Sequence, residues 1–446
     1  MNAALRLRES ARSIWQAGVD AVNAERLMHS AVQATADVLT ICGREYRLSE
    51  IPRIAVVGAG KAGAGMATGL EEILGPQLVD EKVFGWINVP ADCVRPLRKI
   101  RLHAARPAGV NEPRPEGAHG ADEILRIVRN LDSHDLCIVL LSGGGSALLP
   151  APIPSVTLDD ILAVTRFLMQ SGASINELNA VRTRLSQVKG GGLARAIQCD
   201  QVETLIISDV IGDPLDVIAS GPTVVSSQPV DPLAILSRFG AAPPQVPQAV
   251  FDALAATPAP TTPPRATIRN HIIGNNAVAI AAATKRAEAL GFEVRSLGSA
   301  QAGDATVAGH ELAAHCREIQ NQAGKHPVCV LSGGEPTVRL AKTDRPRKGG
   351  RNQQLVLAAL DDCWQSGLKG LAFLSGGTDG EDGPTDAAGA IADVEVWREA
   401  HERGLNPRPF LDINNAYEFF DRCGGLLKTG PTHTNVMDLR VALIAP

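Results

Sequence analysis

Three short hydrophobic runs in this chain end in Ser-Gly-Gly. They are Cys137-Ile-Val-Leu-Leu-Ser142-Gly-Gly-Gly-Ser146, Val328-Cys-Val-Leu-Ser332-Gly-Gly-Glu335 and Leu371-Ala-Phe-Leu-Ser375-Gly-Gly-Thr378. A fourth run, Thr204-Leu-Ile-Ile-Ser208-Asp209, ends in Ser-Asp. Runs that are apolar throughout and bounded by glycine read as strands covered on both faces, as in parallel α/β sheets. Glycine at the carboxyl end of such a strand lets the chain turn sharply and lets an anion approach the backbone N–H groups. Ligands of open α/β folds sit in the crevice at those ends. The repetition points to a small-molecule enzyme whose site is assembled from several strand-to-helix turns.

A chain of 446 residues exceeds what one core serves, so two or three domains are expected. Strand runs at Ile54–Val57, Val83–Asn88, Leu136–Leu141 and Thr204–Ile207 alternate with helical stretches such as Asp122–Asn130 and Leu158–Ser171. That alternation gives an α/β class with mainly parallel sheets. Residues 5–40 read as two helices. Seven prolines between 243 and 264 mark a linker, and the strand pattern restarts at His271-Ile-Ile-Gly274. The last run, Arg440–Ile444, could rejoin either domain.

Aromatic residues make up only 3% and net charge is −5, with no basic run to follow a phosphate backbone, so nucleic acid is not an expected partner. No apolar stretch reaches membrane-spanning length and no signal-peptide pattern opens the chain, so a cytoplasmic location is expected. The eight cysteines form no CxxC pair, which removes support for zinc or redox chemistry.

The candidate chemistry sits at the glycine turns. Gly58-Ala-Gly60-Lys61-Ala-Gly63 follows a strand and fits a dinucleotide loop, but the next strand ends in Asn88 where an acid would hold the ribose. Ala62 stands where a Walker A loop needs Ser or Thr. Lys61 at the helix start suits a phosphate or carboxylate, or else is a solvated turn residue. The stretch Asn179-Ala-Val-Arg182-Thr-Arg184…Lys189-Gly190 concentrates cations suited to an anion, with a basic solvated helix the alternative for Arg184. Asp209 and Asp213 follow one strand, and Asp379, Glu381, Asp382 and Asp386 follow another. Such carboxylates bind Mg²⁺ or act as bases, while single acids of the second loop, Asp382 or Asp386, could serve as helix caps. Gly349-Gly350-Arg351 before an apolar helix reads as an anion clamp whose arginine can stabilise phosphoryl charge. The histidines form no triad pattern.

As a set these motifs resemble the class II glycerate kinases, D-glycerate 2-kinases also described as hydroxypyruvate reductases. The match runs from Val57-Gly-Ala-Gly-Lys61 through Leu141-Ser-Gly-Gly-Gly-Ser146, Ile207-Ser-Asp209, Ala219-Ser-Gly-Pro-Thr223, Gly349-Gly-Arg351 and Ser375-Gly-Gly-Thr-Asp379 to Thr429-Gly-Pro-Thr432…Thr434-Asn435. The resemblance implies a Rossmann-like domain over 1–242, a proline-rich linker over 243–264 and a smaller MOFRL-type α/β domain over 265–446, with the site in the cleft between. It implies ATP as co-substrate, Mg²⁺ as cofactor and D-glycerate phosphorylated at O2. The sequence leaves the oligomeric state open, a homodimer among the assemblies to test. Lys61 and Arg351 match positions regarded as catalytic in that family. Asp209 is the third catalytic candidate, and Asp209 or Asp379 would carry the metal or orient the hydroxyl. Gly60 and the turn Ser142, Gly143, Gly144, Gly145 and Ser146, with Arg182 and Lys189, are the substrate and phosphate candidates. Ser332, Gly333, Gly334 and Glu335, with Thr378 and Asp379, are the nucleotide candidates. The rival reading is an NAD(P)H-dependent hydroxypyruvate reductase using the Gly58–Gly63 loop.

Overall fold

The computed structural model describes residues 3–110, 112–225, 231–256, 262–322 and 326–446. Two units result: Ala24–Ile273, and Met1–Asn23 together with Gly274–Pro446.

In the first unit the helix Ala24–Ala31 ends earlier than its helical periodicity suggests. Strands β1 (Val32–Ala34), β2 (Val38–Ile41) and β3 (Arg44–Arg47) follow it as a small antiparallel sheet. Val38-Leu-Thr-Ile41 alternates and is rich in β-branched residues, so it prefers a pleated surface. Cys42 and Gly43, both at positive φ, close the hairpin in the handedness that strand twist favours.

The main sheet comprises β4 (Ile54–Ala59), β5 (Val83–Pro90), β6 (Ile100–Arg106), β7 (Leu136–Ser142), β8 (Gln201–Ile207) and β9 (Thr267–Gly274). Their order is β6-β5-β4-β7-β8-β9, parallel from β6 through β8. Chain order reverses between β4 and β7, and that switch point is where doubly wound sheets bind ligands. Both of these strands are buried along their whole length, as their unbroken apolar runs require. One face packs on the helix Pro115–Arg129 through Ala121, Ile124, Leu125 and Val128. At the other edge the buried Glu203 of β8 accepts from Tyr46 of β3 and pairs with His271 (2.6 Å) and Arg269 of β9.

In the second unit β10 (Glu293–Ser296), β11 (Val328–Gly334), β12 (Leu371–Gly377), β13 (Gly389–Asp393), β14 (Leu426–Leu427) and β15 (Asp438–Ile444) form the order β10-β11-β15-β12-β13-β14. The α/β class holds, but among the described strands of this sheet only β10 and β11 pair in parallel. β15 inserts antiparallel between β11 and β12, so the two Ser-Gly-Gly ends flank one strand. One face carries the helix Arg351–Asp362, packed through Leu355–Leu360. The opposite face carries the N-terminal helix Ala3–Ala21: Ile14, Trp15 and Val19 pack on Leu439, Val441 and Leu443, and Arg8 forks the Asp393 carboxylate (2.5 and 2.7 Å).

The break between units therefore falls elsewhere than the proline-rich stretch. Residues 1–23 belong with the C-terminal part, and β9 continues the first sheet rather than opening the second. Within 243–264 the helix Gln248–Ala256 buries Val250, Ala253 and Leu254 against Ile161, Val164 and Leu168, because its apolar residues recur at helical spacing. Residues 257–261 of that stretch lie outside the described residues. The last strand is central to the second sheet. Among the described residues no helix is long and apolar enough to cross a membrane. Seven of the eight cysteines are buried free thiols, and Cys42 is exposed.

Candidate active site

At the switch point two loops are stitched together. The Lys61 N–H donates to the Gly143 carbonyl (2.9 Å), the Ala62 N–H to Ser142 Oγ (3.0 Å), and the Gly60 N–H to the Asn88 carbonyl (3.1 Å). The fully buried Ser142 and the Gly143 carbonyl thus hold the two loops to each other, and Gly60 ties its own turn to the end of β5. Asn88, at the place of a ribose-binding acid, is also buried, and its amide donates to the Gly117 and Leu148 carbonyls. The reductase reading loses its ribose site there.

Gly144 lies in the left-handed region (φ +78°). A Cβ at this position would sit 3.2 Å from Arg106 Nη2 and 3.5 Å from Lys61 Cγ, so the guanidinium and the lysine stem close on the same backbone. Arg106, at the end of β6 and 3% exposed, had no local signal in the sequence. It reaches Gly144 because of the strand order.

Two residues on, Ser146 lies in the short helical turn Gly145–Leu148. Its Oγ accepts from Lys189 Nζ (2.8 Å) and Arg182 Nη2 (2.9 Å) and lies 2.9 Å from Ser220 Oγ. Lys189 also donates to the Ser146 carbonyl (2.9 Å). Both cations face neutral oxygens, and neither pairs with a carboxylate among the described residues. Burial, with Arg182 alongside, drives the Lys189 ammonium well below its usual range, and burial also lowers Arg182. Isolated buried charge is costly, so the pair forms a ready site for an anion. Ser220, absent from the sequence-based candidates, is placed by a strained turn in which Ala219, Ser220 and Gly221 all have positive φ (51°, 63° and 59°). Asp209 stands just beyond β8, half-buried, next to the buried Ser208.

In the second unit Arg351 begins its helix with a bidentate pair: Nε and Nη2 donate to Asp438 (2.8 and 3.0 Å), while Nη1 donates to Glu335 (2.7 Å). Burial opposes the charged guanidinium, but Asp438 and Glu335 override it and raise its pKa. The helix N-terminus is already filled. The buried Asp382 carboxylate accepts from the Asn352 and Gln353 N–H groups (3.0 and 2.8 Å), so the cap reading of Asp382 holds and these amides are not an open anion clamp. A Cβ on Gly350 would lie 2.3 Å from the Asp382 Cγ, hence the glycine. Burial pushes the Asp382 carboxyl up to about 7 in spite of those donors.

The nucleotide candidates divide. Thr378 is buried and clasped to Met437 and Val436, and the Gly333 N–H is spent on the Gly298 carbonyl (2.9 Å), so both serve the loop itself. Gly334 pairs with Gln301. Ser332 is buried opposite Arg440 on β15. Glu335 is exposed and meets Arg351; Asp379 is half-buried, and its Oδ1 accepts from the Glu381 N–H (3.0 Å). Asp209 and Asp379 belong to different units. Among the described residues no group of three His, Cys, Asp or Glu is arranged to hold a metal.

A family model described as domain of unknown function (DUF4147) matches residues 10–255, and the MOFRL family matches 328–438. Human glycerate kinase is 38% identical over 99% of this chain and 94% of its own length. D-glycerate 2-kinase from Thermotoga maritima is 34% identical over 88% of this chain and 91% of its own length. A crystal structure of glycerate kinase from Thermotoga maritima superposes with a TM-score of 0.83 at 32% identity, covering 99% of this chain and all of that one.

Proposed function

This chain belongs to the glycerate kinase family, and on that premise we propose that it transfers the γ-phosphoryl group of ATP to O2 of D-glycerate, giving 2-phosphoglycerate and ADP. The observation that carries the assignment is the pair of buried cations, Arg182 and Lys189, sharing Ser146 with no carboxylate partner among the described residues. A substrate carboxylate completes that set, bound by charge-assisted hydrogen bonds. With the carboxylate anchored there, O2 attacks the γ-phosphorus as the bond to the bridging oxygen of ADP breaks. Phosphoryl transfer is carried mainly by positioning and charge stabilisation. Lys61 neutralises the equatorial oxygens, and Arg351 supplies a guanidinium that Asp438 holds in fixed orientation. The loops at Glu335 and Asp379 take the nucleotide, and Asp209 or Asp379 orients the attacking hydroxyl and accepts its proton as O2 bonds to phosphorus.

Mg²⁺ would neutralise the phosphate chain of ATP. Its usual sites take one or two carboxylates and complete the shell with substrate phosphates and water, so single acids such as Asp209 or Asp379 suit it without a preformed cage. The reaction is tested by incubating the protein with ATP, Mg²⁺ and D-glycerate and adding enolase without mutase. An immediate enolase signal is expected. A signal that appears only with mutase would assign the product to 3-phosphoglycerate and overturn the O2 assignment.

A further inference from the structure

The loop Gly143–Ser146 carries cations at two places. Arg182 and Lys189 meet at Ser146; Arg106 and Lys61 close on Gly144. Two residues of chain span at most about 7 Å, so the two cation pairs are neighbours along one short stretch of backbone. We propose that this loop divides the site into two adjoining anion subsites, with Arg106 a phosphoryl-binding residue of the one at Gly144. The proposal rests on the carboxylate assignment at Ser146 and adds a residue and a specificity rule to it.

Arg106 is suited to this by position and by chemistry. It is almost wholly buried at the end of β6, so little side-chain freedom is lost when its planar fork meets phosphate oxygens. Its Nη2 lies over Gly144, a position where any side chain would both strain the backbone and crowd the guanidinium. The stem of Lys61, two residues beyond β4, passes the same backbone. One arginine and one lysine therefore flank the place where the transferred group rests in the product.

The rule follows from spacing. In 2-phosphoglycerate the phosphate oxygen is borne on the carbon next to the carboxylate, so both anions fit neighbouring subsites. In 3-phosphoglycerate one more carbon separates them. The site is thus built for short 2-hydroxy acids, and it selects O2 by distance from the carboxylate.

Titration calorimetry on the full chain without nucleotide tests this with three probes: D-glycerate, 2-phosphoglycerate and 3-phosphoglycerate. The unaltered protein binds 2-phosphoglycerate more tightly than 3-phosphoglycerate. Arg106→Met weakens 2-phosphoglycerate by about tenfold or more, the scale of a lost charged hydrogen bond, and leaves D-glycerate nearly unchanged. Arg182→Met weakens all three. Should Arg106→Met fail to fold, Arg106→Lys carries the same comparison, since it keeps charge and loses the fork. Equal affinity for the two phosphoglycerates, or equal losses of D-glycerate and 2-phosphoglycerate at position 106, would overturn the subsites. Unchanged D-glycerate binding in Arg182→Met would overturn the carboxylate assignment on which they rest.

Discussion

At Ser146 one hydroxyl is shared by two cations, and among the described residues neither pairs with a carboxylate, an arrangement that costs stability until an anion binds. The Lys189 ammonium, shifted down, penalises folding in full below its folded pKa, and the penalty fades as pH rises toward the unfolded value of 10.5. Lys189→Met removes that charge from a site with only 5% exposure. Its ligand-free melting temperature at pH 7 should equal or exceed the wild type's, while KM for D-glycerate rises on the order of tenfold. A large loss of stability with unchanged KM would make Lys189 a structural residue. Lys61, Arg182, Lys189 and Arg351 were legible as candidates because each stands within a glycine-rich, polar stretch. Arg106, Ser220 and Asp438 were not. Arg106 and Asp438 sit at strand ends without a turn signal of their own, and Ser220 takes a left-handed conformation without being glycine.

At the scale of elements, strand ends were readable because a fully covered strand leaves an unbroken apolar run. Pairing direction was not. β11 and β12 have the look of parallel strands, yet each pairs antiparallel with β15, which arrives from the end of the chain. Asp382 was readable as a possible cap, but not the helix it serves, Arg351–Asp362, which lies some thirty residues back in the chain. That carboxyl titrates near 7 against 3.8 unfolded, because burial outweighs its two backbone donors. The unfolded chain therefore releases this proton first. The contribution of Asp382 to stability is complete below pH 3.8, declines as pH rises and is lost above about 7. Asp382→Asn should flatten this part of the stability curve, measured by denaturant titration between pH 4 and about 7. An unchanged slope would mean that Asp382 stays ionised throughout.

For the whole molecule, the chain does not divide where its prolines cluster. Its first helix joins the unit built by its last residues, through Trp15 and Arg8, and the two family matches account for the two halves without marking that exchange. The proposed residues are divided between the units, the cations around Ser146 in one and Arg351 in the other. Replacing Arg351 by alanine would strand Asp438, which is 0% exposed, and so would confound chemistry with folding. Lys61 offers the cleaner case, being half-buried at a turn held by backbone bonds. The most direct test is the kcat of Lys61→Ala with saturating ATP, Mg²⁺ and D-glycerate, read beside its melting temperature. Charge stabilisation of the transferring group predicts a fall in kcat of about 10²–10³-fold with the melting temperature close to wild type. A variant that keeps near-normal kcat and kcat/KM would contradict the assignment of phosphoryl transfer to the loop at Gly144.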